Sequence, residues 1–246
     1  MDNFTEVHLL DGRVRLRQPA RGYRAGLDAA LLAAACDAQD GQRVLEAGCG
    51  AGGALLAAAA RRPGARFVGV ERDAAALALA RHNIAANSMG DRVEAVEGDV
   101  AVRFSLLGLE PFDAAMTNPP FFDDAGALRG PAPDRRAAWM ADDGLEAWIQ
   151  FLTKAVREGG SITLIHRADR LADILGLLTA KCGSIQVLPI HPFADEPAKR
   201  VLVRAIKTGK APLRILPPLV LHDRDGAKHR PDVEAILRGE ANLPWL

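Results

Sequence analysis

Cysteine is scarce in this 246-residue chain, and the three present, Cys36, Cys49 and Cys182, form no CxxC pair and leave an odd one over. That argues against a disulfide framework or a zinc site and fits a reducing cytoplasm. Net charge is missing too: 31 basic and 31 acidic residues cancel, so any nucleic-acid surface has to come from local clustering. No apolar run reaches membrane-spanning length without charge, and Met1 to Glu6 lack the basic-then-apolar pattern of a signal peptide. The six histidines show no metal-ligand spacing, and His166 and His191 read as structural, so no metal is expected. What the chain has is 49% hydrophobic residues, enough to bury one sizeable α/β core.

Val7 to Leu16 alternates apolar and polar residues around Asp11-Gly12, which predicts a β-hairpin with a tight turn. Asp28 to Cys36 reads as an apolar helix leading into the main domain. From Arg43 on, strands and helices alternate. Strands are expected at Val44–Ala47, Arg66–Glu71, Val93–Val96, Asp113–Thr117 and Ser161–His166. Helices are expected at Gly53–Arg62, Asp73–Asn87, with Gly90 as its left-handed cap, and Glu146–Arg157. Ile185–Ile190 and Arg200–Ile206 leave no room for a helix between them, so that last pair should be antiparallel. A seven-stranded, Rossmann-like mixed sheet with the last strand antiparallel resembles the class I S-adenosylmethionine-dependent methyltransferases. On that resemblance residues 1–40 form a hairpin and helix packing on the core, and residues 41–246 form the methyltransferase domain.

Glu46-Ala47-Gly48-Cys49-Gly50-Ala51-Gly52 ends the first core strand. Gly48 and Gly50 permit a sharp bend and close approach to a ligand, and the next helix aims its first amides at the same space. Such a turn also suits a dinucleotide or a purely structural bend. Glu71, about 20 residues on at the end of the second strand, can accept both ribose hydroxyls of a nucleoside. The glycine spacing differs from GxGxxG, and Glu46 would repel a pyrophosphate but suit the α-ammonium of S-adenosylmethionine. Asp99, after the third strand, can accept from the adenine amine; its alternative reading is a solvated loop acid. Their neighbours Arg72 and Val100 belong to the same set, as does Cys49, through backbone contact and not as a nucleophile.

Asn118-Pro119-Pro120-Phe121 follows the fourth strand, whose end faces the same crevice. The prolines stiffen the backbone, and the Asn118 oxygen with the Pro119 carbonyl can accept from a substrate NH2. Asn118 thus also faces the cofactor. Phe121 can stack on a flat substrate, and a rigid Asn-Pro turn with a core phenylalanine is the bland alternative. This order of motifs is similar to the amino-group N-methyltransferases with an (N/D)PP(Y/F) signature, which act on adenine N6, guanine N2 or glutamine amides. Within them, the segments from Gly22 to Leu32, Asn118 to Phe122 and Leu216 to His222 resemble the bacterial tRNA1(Val) adenine N6-methyltransferase family over nearly the whole chain. The resemblance implies S-adenosylmethionine as cofactor and a tRNA anticodon-loop adenine as target. It also puts Tyr23 and Asp28 over the methionyl part of the cofactor, although Asp28 equally reads as a helix N-cap. Two departures, Ala25 in place of an aromatic and the Gly52-Gly53 pair opening a helix, are expected to weaken cofactor affinity.

Charge is locally uneven. Lys199, Arg200, Arg204, Lys207, Lys210 and Arg214 fall in a stretch with no acid, and Arg13, Arg15, Arg17, Arg21 and Arg24 enrich the hairpin. Together they are expected to form a phosphate-binding rim around a base-sized pocket. Phe122, Arg135 and Arg136, in a loop from Asp123 to Asp143 suited to closing over a base, join Lys199 and Arg200 as substrate contacts. RNA, and among RNAs tRNA, is the expected partner. The competing readings are guanine-N2 methylation in ribosomal RNA, N5-methylation of a protein glutamine, and a non-enzymatic cofactor- or RNA-binding module.

Overall fold

A computed structural model describes residues 4–20, 25–120, 143–243 and 245. Strands β1 (Phe4–Leu9) and β2 (Val14–Pro19) form the expected antiparallel hairpin, with Leu10, Asp11 and Gly12 all at positive φ in its turn. Helix α1 (Leu27–Ala35) follows, and then β3 (Arg43–Ala47), α2 (Gly53–Arg61), β4 (Arg66–Glu71), α3 (Ala74–Ala86), β5 (Val93–Glu97) and β6 (Phe112–Thr117). After residue 142 come α4 (Asp143–Ala155), β7 (Val156–Arg167), α5 (Leu171–Thr179), β8 (Cys182–His191), β9 (Arg200–Lys207), β10 (Arg214–Ile215), β11 (Leu219–Val220) and α6 (Pro231–Arg238).

The main sheet runs β10-β8-β9-β7-β6-β3-β4-β5, with β11 also on β8. Pairings from β5 to β7 are parallel, whereas β9 is antiparallel to both β7 and β8. Strands β3, β4 and β6 are buried along most of their length, as strands covered on both faces must be. One face carries the hairpin, α1, α2 and α6, joined by Leu16, Leu32, Leu56, Phe67 and Val233. The other carries α4 and α5, joined by Leu45, Phe112, Leu152, Ile162 and Leu178.

Several sequence expectations need correction. Gly90 is not the left-handed cap of α3: Ser88 is, at φ 53, and the Ser88 and Met89 amides close a Schellman pair onto Ala85 and Ile84. The expected Glu146–Arg157 helix ends at Ala155, because Val156 already pairs with Phe112, and a bulge at Gly159-Gly160 precedes the regular register. Two short strands, β10 and β11, extend the sheet beyond seven; two residues apiece is too short to show a period. Helices α5 and α6 also lie outside the sequence reading, although α6 carries Pro231 in its first turn and a left-handed Gly239 at its end.

The basic residues divide by strand direction. Because β9 runs against its neighbours, Arg200 lies at the carboxyl-end rim while Lys207 lies at the opposite end, bonded to the Val156 carbonyl. Arg204, in between, is paired with Asp37. That run therefore does not form one continuous rim: Lys199 and Arg200 alone of it stand at the crevice end among the described residues, and Arg21 and Arg24 of the hairpin segment lie outside them. Arg13 and Arg15 donate to the final carbonyls of α6 and α3, Arg238 at 2.6 Å and Ala86 at 3.0 Å, which is a capping role.

Candidate active site

The glycine turn is held by its neighbour strand. Gly48 and Cys49 donate their amides to the Val70 carbonyl at 2.8 and 3.1 Å, and the Gly50 amide donates to Glu71 Oε2 at 2.8 Å. Gly48, Gly50 and Gly52 all take positive φ, 66, 55 and 88°. Glu71 Oε1 accepts the Asp73 amide at 2.8 Å. Each of its oxygens keeps a further lone pair, so ribose hydroxyls can still be accepted. A methyl group at Gly50 would meet nothing within 4 Å, so the turn is open above that residue.

Glu46 sits beneath the turn, 3% exposed. Its Oε2 has no hydrogen-bond partner among the described residues. Burial, with the nearby Glu71 charge, pushes its carboxyl well above the usual range, and the Leu55 amide offsets part of that. A buried carboxyl oxygen without a partner among the described residues, whose ionised form a cation would stabilise, beside a second carboxylate that braces the turn, fits a ligand with an ammonium group and a ribose diol. It does not fit a pyrophosphate. Cys49 is buried against Gly69, where an added Cβ would lie 2.6 Å from its sulfur, and burial raises its thiol well above the ordinary value. It is inert packing.

Across the β4–β5 ends, Arg72 reaches Asp99 at 3.7 Å, and Asp99 Oδ1 accepts the Ala101 amide at 2.9 Å. Val100 packs half-buried on the core. The register pairs Ala47 with Thr117 and Thr117 with Leu164, and the Thr117 hydroxyl donates to the Ala47 carbonyl at 2.9 Å. Asn118, half-buried, then Pro119, buried, and Pro120 thus leave the sheet next to Gly48. Tyr23, Phe121, Phe122, Arg135 and Arg136 lie outside the described residues.

Asp28 needs a further correction. Gly26, not Asp28, stands at the α1 N-cap; Asp28 lies in the first turn and accepts Arg200 Nε at 3.0 Å. Two residues assigned to different ligands are thus partners. The Ala25 and Gly53 departures turn out to be one feature: a Cβ on Gly53 would lie 2.4 Å from that of Ala25, so each is small because the other is close. Sequence reading missed Trp148, whose ring packs against Gly48, and Gly69, although a glycine inside a strand signals close approach.

His166 is 2% exposed near the end of β7, and burial first, then the Arg170 charge, pushes its pKa down to about 4. The folded value lies below the unfolded one of about 6.5, so the unfolded chain takes up the proton first. Stability from this group is complete above pH 6.5 and is lost as pH falls toward 4, by about 3 kcal/mol. Urea denaturation at pH 7.5 and pH 4 should show that extra loss in the wild type and not in His166→Gln; equal losses would refute it.

A carboxylate-braced glycine turn and an Asn-Pro-Pro segment, side by side at the carboxyl ends of this mixed sheet, define a class I S-adenosylmethionine-dependent methyltransferase. The Methyltransferase small domain family matches residues 24–129. A tRNA1(Val) (adenine(37)-N6)-methyltransferase of Porphyromonas gingivalis is 32% identical over 200 residues, 77% of each chain. The chain belongs to the tRNA1(Val) (adenine(37)-N6)-methyltransferase family. A release factor glutamine methyltransferase of Chlorobaculum tepidum is 30% identical over 175 residues, but those span 59% of that protein. Among solved structures, one described as a predicted O-methyltransferase from Agrobacterium tumefaciens superposes with a TM-score of 0.74 at 28% identity, covering 88% of this chain and 98% of that one.

Among the described residues no helix is long and apolar enough to cross a membrane, and no group of three or more His, Cys, Asp or Glu is arranged to hold a metal.

Proposed function

We propose that this protein methylates the exocyclic N6 of an adenine in tRNA, in the anticodon loop, and does so in the cytoplasm. The observation that carries the reading is the β3–β6 register, which puts Asn118-Pro119-Pro120 beside Gly48. When bound, S-adenosylmethionine supplies an electrophilic methyl group. Glu46 would hold its ammonium, Glu71 its ribose hydroxyls, and Asp99 with Val100 its adenine. The Asn118 side-chain oxygen and Pro119 carbonyl would accept both N–H bonds of the target amine, so that its lone pair turns toward the methyl. No general base is required, because the nitrogen becomes acidic once methylated and its proton passes to water. Catalysis is then mostly positioning.

The same pair of acceptors would hold a glutamine amide, and the Chlorobaculum tepidum relative favours that as the second reading. Labelled methyl transfer to tRNA, rRNA and protein from a strain lacking the gene, followed by nucleoside mass spectrometry, separates them. N6-methyladenosine in tRNA is expected. Label in N2-methylguanosine or in protein would keep the fold and overturn the substrate.

A further inference from the structure

The cofactor turn is built from three glycines at positive φ, the most permissive backbone available, yet it has to present its amides in one arrangement. Its Ala51–Gly52 peptide is held from both sides. The Gly52 amide donates to the Cys49 carbonyl at 2.8 Å, and the Ala51 carbonyl accepts Asn83 Nδ2 at 2.9 Å. Asn83 lies in the last turn of α3, 1% exposed. Its side chain makes two more bonds, both to Arg17 of the hairpin: Oδ1 accepts the Arg17 amide at 2.9 Å and Nδ2 donates to the Arg17 carbonyl at 2.8 Å.

One turn further, at the C-cap of α3, Asn87 repeats the two bonds to the hairpin. Its side chain takes the Arg15 amide at 2.9 Å and donates to the Arg15 carbonyl at 2.7 Å, while its other bond goes to Asn83's own carbonyl. The outer edge of β2 is thus docked on α3 by two asparagines four residues apart, which lie on one helix face. Asn83 reaches on to the glycine turn. Asn87 does not.

We propose that Asn83 is a positioning residue that couples docking of the N-terminal hairpin to the shape of the cofactor turn. The hairpin is then part of the S-adenosylmethionine site without touching the cofactor. Removing the Asn83 amide leaves the Arg17 amide, the Arg17 carbonyl and the Ala51 carbonyl without their buried partner, so that the Ala51–Gly52 peptide is held on one side only, by the Gly52–Cys49 bond. Removing the Asn87 amide loosens the hairpin alone.

The test compares Asn83→Ala with Asn87→Ala, measuring melting temperature, S-adenosylmethionine Kd, and kcat at saturating cofactor. Both variants should melt lower. The Asn83 variant should bind the cofactor about 10-fold more weakly with kcat within 2-fold of wild type, whereas the Asn87 variant, which loosens the hairpin but leaves the Ala51 carbonyl its bond, should weaken binding by no more than about 3-fold. Equal cofactor affinity in Asn83→Ala and wild type, or equal weakening in the two variants, would overturn the proposal. Should Asn83→Ala not fold, hydrogen exchange on the unaltered protein decides, because coupling is reciprocal. Cofactor should slow exchange of the Arg17 amide more than that of the Arg15 amide, and equal slowing or none refutes the coupling. The inference rests on cofactor binding at this turn; a wild type that failed to bind S-adenosylmethionine would instead refute that reading.

Discussion

Asn118→Ala is expected to lower methyl transfer by at least ~100-fold while leaving S-adenosylmethionine affinity within about 2-fold. On the proposed mechanism the alanine removes the side-chain acceptor that orients the target amine, and the Pro119 carbonyl alone would not fix the lone pair's direction. The glycine turn, Glu46 and Glu71 keep their bonds, since none of those bonds involves Asn118. Asn118→Asp retains an acceptor oxygen and should keep part of the activity. Single-turnover methylation with calorimetric cofactor binding checks both, and normal turnover in Asn118→Ala would remove the amine-positioning mechanism.

Gly48→Ala should be nearly as damaging, by a different route. Gly48 takes φ 66°, and its added Cβ would lie 2.3 Å from Trp148 Cη2 and 2.9 Å from Cζ3. A left-handed alanine costs about 1–2 kcal/mol. Overpacking against a ring that is 8% exposed costs about 1–3 kcal/mol more. For a chain of this size that amounts to a melting temperature lower by roughly 10 °C. Cofactor affinity should fall with it, because relief comes from moving the turn. Adding Trp148→Phe should restore the steric share and not the backbone share. Thermal melts of the single and double variants test this, and a single variant that melts like wild type would refute it.

Features that one segment of chain can specify were legible in sequence. The strand-to-helix glycine turn, the acids ending the second and third strands, and Asn118-Pro119-Pro120 after the fourth strand each depend on local order and strand direction. The register then places them on one rim. Asp28 and Arg200 were read as separate ligand contacts, since nothing in either neighbourhood shows that α1 begins where β9 begins. The acid-free basic run was read as one surface. A strand's residues share an edge only if the strand runs along it, and β9 crosses the sheet from rim to base.

By itself, the sequence determined the alternation of elements, the kind of ligand the turn can hold and the acceptor geometry offered to a flat nitrogen, because these follow from φ preference, hydrophobic period and side-chain chemistry. Only the tertiary structure decided why Gly48, Gly53 and Gly69 must be small, which arginines serve helix ends, and that Asn83 joins the hairpin to the cofactor turn. Those facts are distances between segments far apart in the chain, such as Gly48 and Trp148 or Arg17 and Asn83, and they are fixed only when the two faces of the sheet are packed.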